Sequence, residues 1–440
     1  MKNMKVLTSL LLIGLGFQIT AQNSFSLESA KQYALEHNKD FQNARLDELI
    51  MKKKVWETTA QGLPQISAEG KFQNYIDIPT QLVPAQTFNP MAPEGEFIGL
   101  KFGTDYNVNG TLSVSQLVFS GNYIVGLQAV KASQEMYSVL SEKKAIDIKA
   151  NVTEAYYTVL VLKENRSILD STFYTMQELL ESTQKLVDEK VMIATNASQL
   201  ELSVLQVQNA ISQIDAQIEM AKDLLKYQMG MKLSEQISLE GNIENVELGE
   251  SQKVDPTQNI DYQVVNSQLT LNELNLKNMK ANYLPTLGAF FSHQQVAQRN
   301  EFNFFDGEED WFPTTIWGLQ LSIPIFSSGQ KAAQVSQAKI EVEKTQNQLD
   351  FVEQGLQLQV NQATTNYVLA KKTLALKKKS IEVAQQVFDD NQILYKEGVV
   401  SSIELTQSQS QLLQTQTEYT NALYELVKAK VALDKLANKL

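Results

Sequence analysis

The sequence predicts a mainly α-helical, internally duplicated chain in which two long antiparallel helical hairpins alternate with four amphipathic β-strands. Three observations predict this class. All nine prolines stand at 64, 79, 84, 90, 93, 256, 285, 313 and 324, so 94–255 and 325–440 can run as uninterrupted helix. Over those stretches apolar residues recur at the alternating 4–3 spacing of packed helices, and between them at the period of two that marks strands. Segments of the first half also recur in order in the second, the signature of duplication.

In chain order, Lys2 and Lys5 precede an apolar run from Val6 to Ile19, and small Ala21 follows before Gln22. This reads as an export signal over residues 1–21. The mature chain then divides into a first repeat (22–230), a segment that breaks both periods (231–260) and a second repeat (261–440). Each repeat opens on a helix and enters its first strand through a Leu-Pro pair, Leu63-Pro64 and Leu284-Pro285. Asp40-Phe41-Gln42 matches Asp261-Tyr262-Gln263 at the same offset of 221.

Past the Leu-Pro pairs, Ile66, Ala68 and Phe72 alternate with polar residues, as do Leu287, Ala289 and Phe291. The second strand of the first pair sets Tyr106, Val108, Gly110, Leu112, Val114, Gln116 and Val118 against Asn107, Asn109, Thr111, Ser113 and Ser115. Its counterpart sets Trp317, Leu319, Leu321, Ile323 and Ile325 against Gly318, Gln320 and Ser322. Long turn-rich loops, 75–104 and 292–314, join the strands of each pair. The second holds Asp306, Glu308, Glu309 and Asp310, which read as a solvated loop in the absence of EF-hand spacing.

The helical repeat is clearest from Leu356, through Val360, Ala363, Tyr367, Ala370, Leu374, Lys377, Ile381, Ala384, Phe388 and Asn391 to Tyr395. After a turn at Gly398–Ser402, Leu405, Leu412, Tyr419, Leu426, Leu433 and Leu440 stand seven apart, with Ser408, Thr415, Ala422, Ala429 and Leu436 between them. Such alternation of large and small residues lets neighbouring helices interlock closely. Subtracting 208 maps the first run onto Ile148 through Val187, and subtracting 205 maps the second onto Leu200, Val207, Ile214 and Ala221.

No segment after the export signal reaches the roughly 18 consecutive apolar residues of a spanning helix. A membrane form of this exported chain would therefore be a β-barrel. Four strands cannot close one, so several chains would contribute; three would supply twelve strands, with Val108, Leu112, Val114, Trp317, Leu319 and Leu321 toward lipid. A helix from Tyr123 to Lys190 would extend roughly 100 Å at ~1.5 Å per residue. The formal charge of −12 argues against a nucleic-acid surface and for a negative lumen that favours cations. With no cysteine and two histidines, the sequence offers no catalytic constellation, metal site or cofactor motif.

In these features the chain resembles the TolC-like outer-membrane efflux family. The residues that carry the resemblance are Leu27–Ala34 with Asn38, the two Leu-Pro entries, the corners Phe119-Ser120-Gly121 and Phe326-Ser327-Ser328-Gly329, and the repeated hairpins. The resemblance implies a homotrimer in the outer membrane of a Gram-negative bacterium, with a twelve-stranded barrel and an α-helical coiled-coil tunnel in the periplasm. It also implies an equatorial region holding 231–260, residues 22–37 and the end of the chain. Its function would be a passive exit duct serving an inner-membrane pump through a periplasmic adaptor, the membrane fusion protein, with no enzymatic activity.

The family closes its tunnel at the turns of the second hairpins, and Tyr395–Glu404 resembles that element. By this match Tyr395 and Glu404 line or latch the constriction, and Asn196 in the first hairpin matches an acidic latch residue. Lys190, Val191, Gly398, Val399 and Ser401 form the tips on which an adaptor would dock. Lys190 replaces the family's glycine, Val400 its tip arginine and Gln407 its second acidic residue, which points to a looser or apolar closure. The alternatives from other classes are a periplasmic adaptor and a structural coiled-coil scaffold.

Overall fold

Each repeat begins with the same local device. Asn38 Oδ1 accepts from the Asp40 N–H at 2.9 Å and Asn259 Oδ1 from the Asp261 N–H at 2.8 Å, giving both opening helices a side-chain cap at an offset of 221. In the computed structural model, residues 23–243 and 254–440 are described; the export signal expected over 1–21 and residues 244–253 of the inter-repeat segment lie outside the described residues. The elements are β1 (Asn23–Phe25), α1 (Leu27–His37), α2 (Lys39–Ala60), β2 (Gln65–Asn74), β3 (Thr80–Pro84), β4 (Phe97–Lys101), β5 (Tyr106–Ser120) and α3 (Gly121–Asp188). There follow α4 (Ala194–Met229), β6 (Ile237–Leu239), α5 (Ile260–Ala281), β7 (Thr286–Arg299), β8 (Phe312–Ser322), α6 (Gln330–Lys396) and α7 (Ser402–Leu436). Among the described residues, no helix is long and apolar enough to cross a membrane.

The chain forms two units. A sheet unit comprises Ala44–Lys143 and Pro256–Leu356, and of the other described residues 23–43, 144–243, 254–255 and Gln357–Leu440 form a hairpin unit.

In the sheet unit, α2 ends at Ala60 and β2 starts at Gln65, while α5 ends at Ala281 and β7 starts at Thr286. The Leu-Pro pairs lie in these gaps because proline ends a helix and suits the entry to a strand. The strands form one antiparallel sheet in the order β2-β5-β7-β8, so β5 and β7 join the two repeats and β2 and β8 are its edges. Gly121 opens α3 against α5: a side chain there would meet Leu284 at 2.5 Å and the Ala281 carbonyl at 3.3 Å.

Three expectations about the strands need correction. The loop 75–104 contains its own hairpin, β3 paired with β4, and β1 pairs with β6, so the described residues hold more than four strands. Pro84 disguised the hairpin, since proline is tolerated at a strand end or edge. The strand from Leu287 runs on to Arg299, because Gln294 and Gln295 are carried by pairing with Thr314 and Pro313. Ile323 and Ile325 lie beyond β8, which ends at Ser322 just before Pro324.

Every position of the run Leu356–Tyr395, which lies in the hairpin unit from Val360 on, is buried or half-buried, and so is every mapped position of Ile148–Val187. By contrast Leu369, Leu376, Val383, Val387 and Ile393, off the seam, are exposed. The seam of α7 is wider than its heptad: Gln409, Gln416, Thr420, Leu423, Val427 and Val431 are buried beside Leu405, Leu412, Leu426 and Leu433. That second stripe faces a second neighbour, since α7 packs on α4 as well as on α6.

At the other end of this unit β1 and β6 pair in parallel, and Phe25, Ala30, Ala34, Met231, Ile237 and Leu239 share a core with Val152, Tyr156 and Val159 of α3. The Tyr156 hydroxyl donates in a forked arrangement to the carbonyls of Phe25 (3.0 Å) and Glu240 (2.5 Å). Burial first, and the Glu240 carboxylate second, push its ionisation up to about 12, so the donor form persists at any physiological pH. Gly230 ends α4 with φ +75°, and a Cβ there would stand 2.6 Å from the His37 carbonyl and 2.8 Å from the Asn38 nitrogen. Only glycine meets both demands.

Candidate functional site: the hairpin tips and the two-faced sheet

The two hairpin turns are built alike. At the end of α3 the N–H of Val191 donates to the Leu186 carbonyl (2.8 Å), and at the end of α6 the N–H of Val399 donates to that of Leu394 (2.9 Å). Each closes the helix by a left-handed residue, Lys190 at φ +61° and Gly398 at φ +72°, at the offset of 208 read in the sequence. The turns then diverge. Ser401 and Glu404 form a reciprocal capping box at the start of α7, whereas Ile193 caps α4 with no side-chain bond. The offset falls to 205 once the buried stripe resumes at Ala197 and Ser402, so α4 carries three extra residues in its opening turn.

These facts place the residues singled out in the sequence. Lys190, Val191, Gly398, Val399 and Ser401 are all exposed, with Val191 68% and Val399 67% accessible. Glu404 is exposed and its carboxylate accepts from the Ser401 N–H at 2.9 Å, the position of a helix cap. Tyr395 does not line a surface. It is 3% exposed in a core with Met176, Leu179, Leu200, Phe388 and Leu405, because it continues the α6 seam. Its hydroxyl lies 3.4 Å from Thr183 Oγ1 and 3.7 Å from Met192 Sδ, both in the first hairpin.

Asn196 and Glu404 are not brought together. Instead Ser402, which the sequence reading passed over, donates toward Asn196 Oδ1 at 3.0 Å and also contacts Gln199 Oε1. A small polar residue at the first buried position of α7 was the available signal. The two hairpins thus meet at their tips through uncharged groups. Further along, charged links join the helices within each hairpin: Arg166 of α3 joins Asp170 of its own helix and Asp215 of α4, and Lys377 Nζ of α6 joins Glu418 of α7 at 2.6 Å. The Lys377 hydrogen bond, followed by that of Gln414, holds the Glu418 carboxyl below its ordinary range.

The sheet has two chemically distinct faces. Cross-strand register places Ile66, Ala68 and Phe72 beside Val114, Leu112 and Val108, and these beside Phe291, His293 and Ala297. It sets Phe291, Ala289 and Leu287 beside Trp317, Leu319 and Leu321. All six residues expected to meet lipid therefore share one face, and Trp317 is 78% exposed on it. The phase breaks only at Val118, which is left unpaired by a bulge between Leu117 and Phe119. Ser67, Glu69 and Lys71, Ser113, Thr111 and Asn109, Ser292 and Gln294, and Thr314 and Gln320 occupy the opposite face.

Toward the β3–β4 side of this sheet, Phe72, Tyr106, Phe302 and Phe304 cluster with ring centroids 5.6–6.3 Å apart. Arg299, 7% exposed, orders the neighbouring loop by donating to the Asn303 carbonyl at 2.7 Å and lying over the Phe304 ring. Asp306, Glu308, Glu309 and Asp310 remain exposed, and no metal-binding group of side chains is found among the described residues.

Residues 258–439 match the family model of the outer membrane efflux proteins. The outer membrane efflux protein BepC of Brucella suis biovar 1 is 20% identical over 338 residues, 75% of this chain and 72% of that protein. Among solved structures, the outer membrane channel MtrE of Neisseria gonorrhoeae in its open state superposes with a TM-score of 0.74 at 16% identity, over 94% of this chain and 88% of that one. The CmeC outer membrane channel of Campylobacter jejuni gives 0.73 at 14% identity, over 94% and 86%. These likenesses establish the fold over nearly the whole length as that of the outer membrane channels, and residues 258–439 carry the match to the outer membrane efflux proteins.

Proposed function

We propose that the protein is the outer-membrane exit duct of a tripartite efflux or secretion system, conducting substrates passively and catalysing nothing. The observation that carries this reading is the four-stranded sheet with one apolar face, one polar face and both edges open. Open edges are not tolerated in hydrocarbon, because each unpaired N–H and C=O there costs several kcal/mol. A second copy whose β8 meets β2 removes the edge, and three copies close a ring of twelve strands wide enough for a lumen. The heptad hairpins supply the periplasmic tunnel. Their exposed tips at Lys190, Val191, Gly398, Val399 and Ser401 are the surface offered to an adaptor that recruits an inner-membrane pump. Contacts of Ser402 with Asn196 and Gln199, and of Tyr395 with Thr183, hold the tips closed.

Membrane fractionation followed by sizing in detergent, with and without heating, tests the duct. An outer-membrane species three chains in mass that falls to one on heating is expected. A water-soluble single chain would sink the reading and favour the adaptor or scaffold alternatives.

A further inference from the structure

The register that sorts the sheet into two faces also shows how little charge the polar face carries. From β2 it takes Gln65, Ser67, Glu69, Lys71 and Gln73; the facing positions of β5, Asn107 through Ser115, are asparagine, threonine and serine. β7 adds Phe290, Ser292, Gln294, Val296 and Gln298, and β8 adds Phe312, Thr314, Ile316, Gly318 and Gln320. Glu69 and Lys71 are thus the ionisable side chains of this face. Both are exposed, and neither takes part in an ion pair among the described residues. They stand two residues apart on one edge strand, about 7 Å along it.

We propose that Glu69 and Lys71 together set the ion preference of the barrel, by cancelling each other. The inference rests on the polar face lining the pore of a three-chain duct. There each copy places one acid and one base at nearly the same level, so the wall is balanced although the whole chain carries a formal charge of −12. A wall without net charge, made of amides, hydroxyls and a few apolar side chains of β7 and β8, suits a duct that passes solutes of either charge. Their separation is below the Debye length of about 10 Å at 0.1 M salt, so at that level a permeating ion meets both groups of each copy. Removing one member unmasks a ring of three like charges, which biases permeation.

The test is the K⁺/Cl⁻ permeability ratio of the purified full-length protein in planar bilayers under a KCl gradient near 0.1 M. Lys71→Gln is expected to raise the ratio about two-fold or more and Glu69→Gln to lower it by a similar factor. The exchange of Glu69→Lys with Lys71→Glu is expected to restore the wild-type value. Charges elsewhere in the duct are common to all four proteins and drop out of the comparison. Conducting variants whose ratios equal the wild type would overturn the cancellation. Absence of conductance both in the wild type and in the tip variant Ser402→Ala with Tyr395→Phe would overturn the duct reading on which it stands.

Discussion

At the scale of single residues, Lys190 is the clearest imperfection in the duplicated plan. It occupies a left-handed position, φ +61°, that Gly398 fills in the second hairpin without a Cβ. Lys190→Gly is expected to stabilise the first turn by about 1 kcal/mol. Slower hydrogen exchange of the Val191 amide, which is bonded to the Leu186 carbonyl, reads that gain. The closing contacts are also few enough to remove singly. Glu404 is engaged in its own helix cap, so at the tips, among the described residues, the polar groups that tie one hairpin to the other include Ser402 and the Tyr395 hydroxyl, while Lys435 and Asp147 pair far from the tips. Ser402→Ala combined with Tyr395→Phe keeps the packing volume and deletes both ties; single-channel conductance should rise. Currents equal to the wild type would move the closure elsewhere.

At the scale of elements, the α1–α2 corner crosses the end of α4 so closely that Gly230 has backbone where a Cβ would be. Gly230→Ala combines this clash with a positive φ and should cost about 2 kcal/mol or more. The loss would show as a lower midpoint of thermal unfolding. The helical seams explain why so much else is legible. A position such as Tyr367 or Phe388 is buried because a partner helix repeats with the same period, so seven-residue spacing in the sequence maps directly onto burial. The second stripe of α7, from Gln409 to Val431, escaped that reading. Glutamine and threonine in it carry no apolar signal, and they are buried because α4 lies on that side.

At the scale of the whole molecule, the apolar face of the sheet finds no covering element among the described residues, and Trp317 and Leu319 stay 78% and 65% exposed. Lipid is the expected cover. In vesicles of brominated phospholipid, the fluorescence of a variant retaining only Trp317 should be strongly quenched; emission typical of water would show that the face is wet. The two faces, the duplication and the heptads were written in the sequence, because each is a local periodicity that survives without knowledge of neighbours. The tertiary structure decided which strands neighbour one another, that Tyr395 is core while Ser402 reaches Asn196 and Gln199, and that Glu69 and Lys71 share an otherwise uncharged wall. Those outcomes depend on register between segments some 200 residues apart. A shift of one residue exchanges the faces of a strand, and in a helix it turns a side chain by about 100°, enough to take a seam residue such as Tyr395 out of its core.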